Sequence, residues 1–437
     1  MKEQCKGFQT AVGRLLPEIY KAKGGKPMEV IVKKSAGLDV HRKSVVGTII
    51  LEDDEGNLHV ETRDFGTFHK DRVQLATWLK SNGIELVVME STSVYWKAIY
   101  EALERERINV HVVNARHVKQ VPGRKTDVQD SQWLATLARH GLLRPSFIPP
   151  KDLRELRLLT RRWQKIQGML AGEKNRLHKV LDDAGIRLGT VVSDINGKSA
   201  QAIIDGLIDG KSPLELINYA RGRLRDKIQA LQESLEGDIS DAHLFLLRQI
   251  RSHISYLERE LSELWEQIKE RMIPYKDQWE ILQTIPGIDQ VSAALLIAEI
   301  GVDMKRFGNA HKLASWAGMC PGNNESAGKR KSGRTRKGNR AIRQVLCQIS
   351  NAACKTKSQF KSKYKALVIR RGHKRTIIAI GHKILRIIYV LLSKKQPYVD
   401  PGVDYEEILT KRNAPRWINA LIKYGFLSQL TRPKLAA

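Results

Sequence analysis

The sequence predicts an α/β domain toward its N-terminal end, then an α-helical region with coiled-coil periodicity, then a mainly α-helical basic domain. Three observations predict it. Strand and helix patterns alternate from Val30 to Pro150, apolar residues recur at three- and four-residue spacing from Leu247 to Ile268, and cations crowd the stretch from Lys329 to Arg340. The 437 residues exceed what one hydrophobic core holds, so several domains are expected.

Residues 1–33 read as a basic leader rich in Lys and Gly, and Met28 is an alternative start. The domain over 34–150 opens with a strand, turn and strand in Ser35–Leu51. Glu55-Gly56-Asn57 supplies turn chemistry before a strand at Leu58–Phe65. A helix over Asp71–Ser81 follows. Ile84–Met89 is apolar enough for a strand buried on both faces, Val94–Arg105 is an amphipathic helix, and Asn109–Val113 is a further strand.

Helix dominates from Pro150. Over 151–273, Leu247, Ile250, Ile254, Leu257, Leu261, Leu264 and Ile268 form a coiled-coil seam, and Leu156, Leu159, Trp163, Ile166 and Leu170 repeat similarly in an earlier helix. The two helices pair either within one chain or between chains. The seam predicts self-association, as a homodimer or a tetramer. Residues 188–237 read as a small helical insertion, 274–392 as a third compact region, and 393–437 as a tail with a short amphipathic helix near Trp417–Tyr424.

Lys and Arg number 75 against 47 Asp and Glu, a formal charge of +28 that exceeds any solubility requirement and attracts polyanions. Nucleic acid is the expected partner. A membrane partner is set aside, because no apolar run of spanning length and no lipidation signal is found. The first residues carry no secretory pattern, so a cytoplasmic location is expected. Cys5, Cys320, Cys347 and Cys354 have neither zinc-ligand nor disulfide spacing and read as reduced thiols.

Asp39 lies inside an apolar strand, where a buried carboxylate is costly unless paired or metal-bound. Its alternative is an edge-strand position facing water. Glu90 ends the strand Leu86–Met89, and the carboxyl ends of strands are where α/β sites form, although Glu90 also precedes hydroxyls suited to capping a helix. Asp127 and Asp130 share one helical face, a spacing that equally suits a capped helix start. Together the four supply the oxygen donors of a Mg²⁺ site, with Mn²⁺ as the substitute ion.

The segment Cys320–Arg340 carries Lys329, Arg330, Lys331, Arg334, Arg336, Lys337 and Arg340, a density suited to phosphates, unless it is simply a solvated charge run. Apolar helices at Leu313–Met319 and Ala341–Ile349 flank it. Ser326, beside the small residues Ala327 and Gly328, is a candidate nucleophile, with Ser332 as the rival. Upstream, Ile285-Pro286-Gly287-Ile288 joins two helices. Such a hairpin offers the Gly287 amide to a phosphate, unless it is an ordinary helical turn.

The ordered set Gly37-Leu38-Asp39-Val40-His41, Met89-Glu90-Ser91-Thr92, Lys125-Thr126-Asp127-Val128-Gln129-Asp130, Ile285–Ile288 and Ser326-Ala327-Gly328 with Arg336-Lys337-Gly338-Asn339 closely resembles the DEDD transposases of the insertion-sequence-110 type. The resemblance spans about Lys34 to Arg375. It implies a RuvC-like domain of RNase H fold whose metal tetrad matches Asp39, Glu90, Asp127 and Asp130. It further implies a C-terminal DNA-binding and catalytic domain in which Ser326 matches the nucleophile that links to DNA. Glu325 and Ala327 depart from the family pattern of hydroxyl residues before paired glycines. Family members are also guided by a structured RNA, so both DNA and a guide RNA are expected partners, in the nucleoid of a bacterium or archaeon. The competing readings are a Mg²⁺-dependent nuclease or Holliday-junction resolvase, which has no use for Ser326, and a catalytically silent binding protein.

Overall fold

The computed structural model describes residues 29–91, 93–118, 121, 130–322, 324–333, 335 and 337–427. The leader up to Met28, Asp127, Arg334 and Arg336 lie outside the described residues. The chain divides into two compact units, Met1–Ile148 and Pro149–Ala437.

The N-terminal unit is built on a five-stranded sheet in the order β3-β2-β1-β4-β5, formed by β1 (Lys34–Val40), β2 (Ser44–Glu52), β3 (Leu58–Gly66), β4 (Leu86–Glu90) and β5 (Val110–Val113). The first three strands are antiparallel neighbours, whereas β1, β4 and β5 run parallel. This order and these directions fit an RNase H-like domain. The helices are α1 (His69–Ser81), α2 (Trp96–Arg105) and α3 (Asp130–Arg139).

Period-two alternation sends neighbouring residues of each strand to opposite faces. Ala36, Leu38, Val87 and Met89 meet Leu75, Leu79, Ile99 and Leu103 of α1 and α2 on one face. Leu86, Val88 and Val113 meet Trp133, Leu134 and Leu137 of α3 on the other. The strand at 86–89 is buried on both faces, which explains its unbroken apolar run.

In the C-terminal unit, α4 (Lys151–Asp183) and α6 (Asp241–Met272) pack antiparallel. Asp183 meets His243 at 3.1 Å, and Lys174 meets Glu258 at 3.0 Å. Leu247, Ile250, Ile254, Leu257 and Leu261 are buried there against Ile166, Leu170, Leu177 and Leu181. The short helices of the insertion, chief among them α5 (Lys198–Ile208), complete this core through Ile203, Ile204 and Leu207. The heptad pattern is therefore satisfied inside one chain, and the dimer expected through it loses its apolar basis.

The rest of the unit comprises α7 (Lys276–Gln283), α8 (Gln290–Ile300), α9 (Ala310–Trp316), a hairpin of β6 (Asn324–Ser326) and β7 (Lys329–Ser332), α10 (Arg340–Ala353), α11 (Gln359–Arg371), α12 (His373–Lys394) and α13 (Tyr405–Lys423). Two expectations change. The tail helix begins at Tyr405 rather than near Trp417, because Asp404 caps it by accepting from the Glu406 and Glu407 amides. Among the described residues one helix, α12, is long and apolar enough to cross a membrane. Half of its apolar window is buried within the protein, where Ile380, Ile384, Leu385 and Ile388 are fully covered. A core helix meets the same compositional test as a spanning one.

Candidate active site

Gly37 sets the geometry of the carboxylate end. A Cβ there would stand 2.0 Å from the Ser131 carbonyl oxygen and 2.4 Å from the Ala135 nitrogen, so only glycine lets α3 lie directly on β1. Thr48, the partner of Gly37 on β2, meets the Ser131 hydroxyl at 2.8 Å, and the Ser35 hydroxyl donates to the Ala135 carbonyl at 3.0 Å. Ser131 thus lies over Gly37, and Ala135 lies nearer the start of β1. The helix runs opposite to the strand. Its first residue, Asp130, points its end of the helix toward the carboxyl ends of β1 and β4.

Those ends carry the other two described carboxylates. The parallel register pairs Leu38 with Met89, so one step on, Asp39 and Glu90 stand side by side on the face that α3 covers. Neighbouring strands lie about 4.8 Å apart. Asp39 is on the central strand, not an edge. Its side chain nonetheless keeps 28% of its exposure, because the strand is ending, and His41 Nε2 meets its Oδ2 at 3.0 Å. Costly full burial, the sequence-based argument for Asp39, does not occur. Glu90 is half-buried and Asp130 exposed.

Among the described residues, no group of three or more His, Cys, Asp or Glu stands close enough to hold a metal ion. Asp39 and Glu90 nevertheless lie at the carboxyl ends of neighbouring strands, and Asp130 begins the helix that starts beside them. The donor set is all oxygen, which suits a hard divalent cation and excludes a zinc-type thiolate site. Three cysteines, Cys320, Cys347 and Cys354, are free thiols, and burial pushes Cys354 up to about 11.

The basic segment, read from sequence as a loop, is a two-limbed hairpin. At its root Gly338 presses on Gly318, where a Cβ would come within 2.3 Å of the Gly318 nitrogen. Pro321 and Thr335 then form an antiparallel bridge, and β6 pairs with β7 through Ser326–Lys329 and Glu325–Arg330. Ala327 (φ 49°) and Gly328 (φ 73°) form the two-residue tip, both left-handed as a type I′ turn requires. Ser326 is therefore the last strand residue before the tip. Ser332 sits lower, opposite Asn324. Lys329, Lys337 and Arg340 are exposed.

A buried charge cluster holds this root, and sequence reading missed it. Glu299 of α8, 3% exposed, receives two hydrogen bonds from Arg161 of α4, at 2.7 and 3.0 Å. It also accepts from Asn339 Nδ2 at 2.5 Å. Asn339 in turn caps α10 by accepting from the Ala341 and Ile342 amides. Burial pushes the Glu299 carboxyl up, but Arg161, Arg157 and Asn339 outweigh it and hold the group below its ordinary range. A lone Glu in the apolar run Val291–Ile300 was the available signal.

Gly287 has a structural explanation. Its φ is 89°, and a Cβ would meet the Ala353 nitrogen at 2.5 Å and the Ile349 carbonyl oxygen at 2.8 Å on α10. Asp289 caps α8 by accepting from the Ser292 amide at 2.8 Å, which places a carboxylate where a phosphate would otherwise bind. The turn at 285–288 packs closely on α10.

Comparison with known proteins gives the family. Residues 36–186 match a family of transposases of the DEDD, IS110 type, and residues 279–365 match the family described as transposase IS116/IS110/IS902. The chain belongs to the IS110-type DEDD transposases. It is similar to the transposase for insertion sequence element IS1111A of Coxiella burnetii, 24% identical over 348 residues, 75% of this chain and 83% of that one. A putative transposase of Sinorhizobium fredii, y4pF/y4sB, is 26% identical over 123 residues, 27% of this chain and 32% of its own. Among solved structures, Thermus thermophilus RuvC overlaps 25% of this chain and 98% of its own at 13% identity and a TM-score of 0.20. The enzyme is a DNA transposase, and the first family match begins at Ala36, within the strand that carries Asp39.

Proposed function

We propose that this transposase mobilises its insertion sequence by serine recombination. Ser326 is the nucleophile, and Asp39, Glu90, Asp127 and Asp130 hold Mg²⁺, or Mn²⁺ in its place. The observation that carries the carboxylate half is that Asp39 and Glu90 each follow directly on Leu38–Met89, the last registered pair of β1 and β4, beside the end of α3 that begins with Asp130. The position of Ser326 beside the tip of a braced hairpin supports the nucleophile half.

In the covalent step the Ser326 hydroxyl oxygen forms a bond to a DNA phosphorus and the bond to one deoxyribose oxygen breaks. The serine proton ends on that leaving oxygen. One phosphoester replaces another, so rejoining by the reverse attack needs no added energy source. A bound divalent ion supplies charge stabilisation at the phosphate. Lys329, Arg330, Lys331, Arg334, Arg336, Lys337 and Arg340 bind the backbone beside it. His41 holds the Asp39 carboxylate in one orientation through its hydrogen bond.

A structured RNA encoded by the element guides target choice, and the enzyme works in the cytoplasm on nucleoid DNA as a homo-oligomer. The charge of +28 supports the RNA partner. With the heptad seam covered inside the chain, assembly depends on DNA and on other surfaces.

The deciding experiment incubates the protein with Mg²⁺, element-end DNA and copurifying RNA, and looks for a protein–DNA adduct on a denaturing gel. Wild type and Ser332→Ala form it, whereas Ser326→Ala does not. Cleavage without an adduct, unchanged in Ser326→Ala, would establish the nuclease reading instead.

A further inference from the structure

The C-terminal unit gathers cations at a second place, away from the tip of the serine hairpin. Lys363 of α11 and Lys383 of α12 both lie over the Tyr405 ring, at 5.2 and 4.6 Å from its centroid. Lys383 also donates to the Tyr405 hydroxyl at 2.5 Å and to the Gln359 side-chain oxygen, which fixes its position. One helical turn away on α12, Arg386 is exposed and interacts electrostatically with Lys363 and His382, and His311 of α9 interacts with His382.

Three helices therefore bring five basic side chains together, and three of them, Lys363, His382 and Lys383, are half-buried. Among the described residues no carboxylate pairs with any of the five. The acids that the tail brings to α11 are engaged elsewhere. Asp400 accepts from the Gln359 amide at 3.0 Å, Asp404 from the Ser362 hydroxyl at 2.8 Å, and Glu406 meets Lys365 at 3.2 Å.

Elsewhere in this unit, two half-buried cations are matched. Arg251 pairs with Asp205 at 2.7 Å and Lys174 with Glu258 at 3.0 Å. An unmatched, half-buried cluster of like charge opposes folding unless an anion offsets it. Burial, with Lys383 and Arg386 nearby, pulls Lys363 below its ordinary value, and burial with Arg386 and His311 nearby does the same to His382.

Its location names the anion. A Cβ on Gly381 of α12 would stand 2.7 Å from Met319 Cε, so the chain enters the serine hairpin directly over α12. The next residue, Cys320, lies within electrostatic reach of Arg386. We propose that Lys363, His382, Lys383 and Arg386, with His311, form a phosphodiester-binding site at the foot of the serine hairpin. It grips the backbone of the nucleic acid on which the hairpin acts. The inference rests on the transposase reading, yet it concerns binding alone.

The test measures affinity by fluorescence anisotropy against salt concentration, with a random-sequence DNA duplex and, separately, a structured RNA of similar length. Neutralising two phosphate contacts lowers the slope of log affinity against log salt by about two. The Lys363→Gln/Arg386→Gln variant should show this loss on at least one probe, with the wild-type circular dichroism spectrum and a thermal midpoint no lower than wild type. A loss confined to the duplex assigns the site to DNA, and one confined to RNA assigns it to the guide. An unchanged slope on both probes overturns the proposal. Ser326→Ala, run alongside, should bind with the wild-type slope while forming no adduct, so failure of the binding site and failure of the serine reading are separately visible.

Discussion

Replacing Gly37 by Ala tests whether the placement of α3 on the sheet governs the chemistry. The added Cβ would meet backbone on the helix, at 2.0 Å from the Ser131 oxygen and 2.4 Å from the Ala135 nitrogen, with Leu134 Cβ at 2.8 Å. Ordinary contact begins near 3.4 Å, so the helix must retreat by about 1.4 Å (3.4 − 2.0) along the shortest approach. Overpacking of this kind costs about 1–3 kcal/mol, and the upper end applies because backbone cannot rotate away. The retreat carries Asp130 from Asp39 and Glu90, which stay on the sheet. A displacement of about 1 Å in a catalytic constellation lowers rates by on the order of a hundredfold. The assay is the rate of Mg²⁺-dependent adduct formation, paired with hydrogen exchange in α3 and β1. Gly37→Ala should slow the first strongly and loosen the second. A variant with wild-type adduct rate and unchanged α3 protection would refute the argument that Gly37 positions Asp130.

Further outcomes follow from the same geometry. Asp39→Asn, at a half-exposed strand end, should change stability by no more than about 0.5 kcal/mol while abolishing adduct formation, measured by urea unfolding and denaturing gel. Glu299→Gln removes the partner of buried guanidinium groups and should cost about 3 kcal/mol near neutral pH. Because the native carboxyl is held below its unfolded value, its contribution is present above the unfolded pKa of about 4.3 and is lost as pH falls through the folded one. The gap between wild type and Glu299→Gln in urea midpoints should therefore narrow in acid, and a gap constant with pH would contradict the pairing. Leu257→Ala, 2% exposed in the seam, should cost about 2–5 kcal/mol independently of protein concentration. A midpoint that rises with concentration would put that seam between chains.

The α/β unit was legible because its strands announce their burial. Leu86–Met89 has no polar residue to spare for solvent, and Gly37 and Asp39 occupy alternate positions that a period of two sends to one face. The register that brings Asp39 and Glu90 to neighbouring strand ends was not legible, since nothing local sets the register of parallel strands separated by a helix and a hairpin. The reverse error arose in the serine segment. Its cations suggest a solvated loop, yet Gly318 and Gly338 close the root and Ala327-Gly328 closes the tip. Ala327 in a left-handed turn position is the residue that hid the hairpin, because an Asn-Gly or Gly-Gly pair would have declared it.

The seam of α6 carries a more general argument. A heptad stripe states that an apolar surface must be covered, and the identity of the cover is set by what else the chain can bring to it. Here α4 runs antiparallel over nearly the same length, and the insertion 188–237 fills the remaining flank with Ile203, Ile204 and Leu207. Once one chain satisfies the stripe, a second chain gains no apolar burial from it. Where the polyanion itself holds an assembly on two DNA duplexes together, association should fall with salt in parallel with DNA binding. Light scattering across a salt series, with and without duplex, separates that dependence from a salt-insensitive apolar interface.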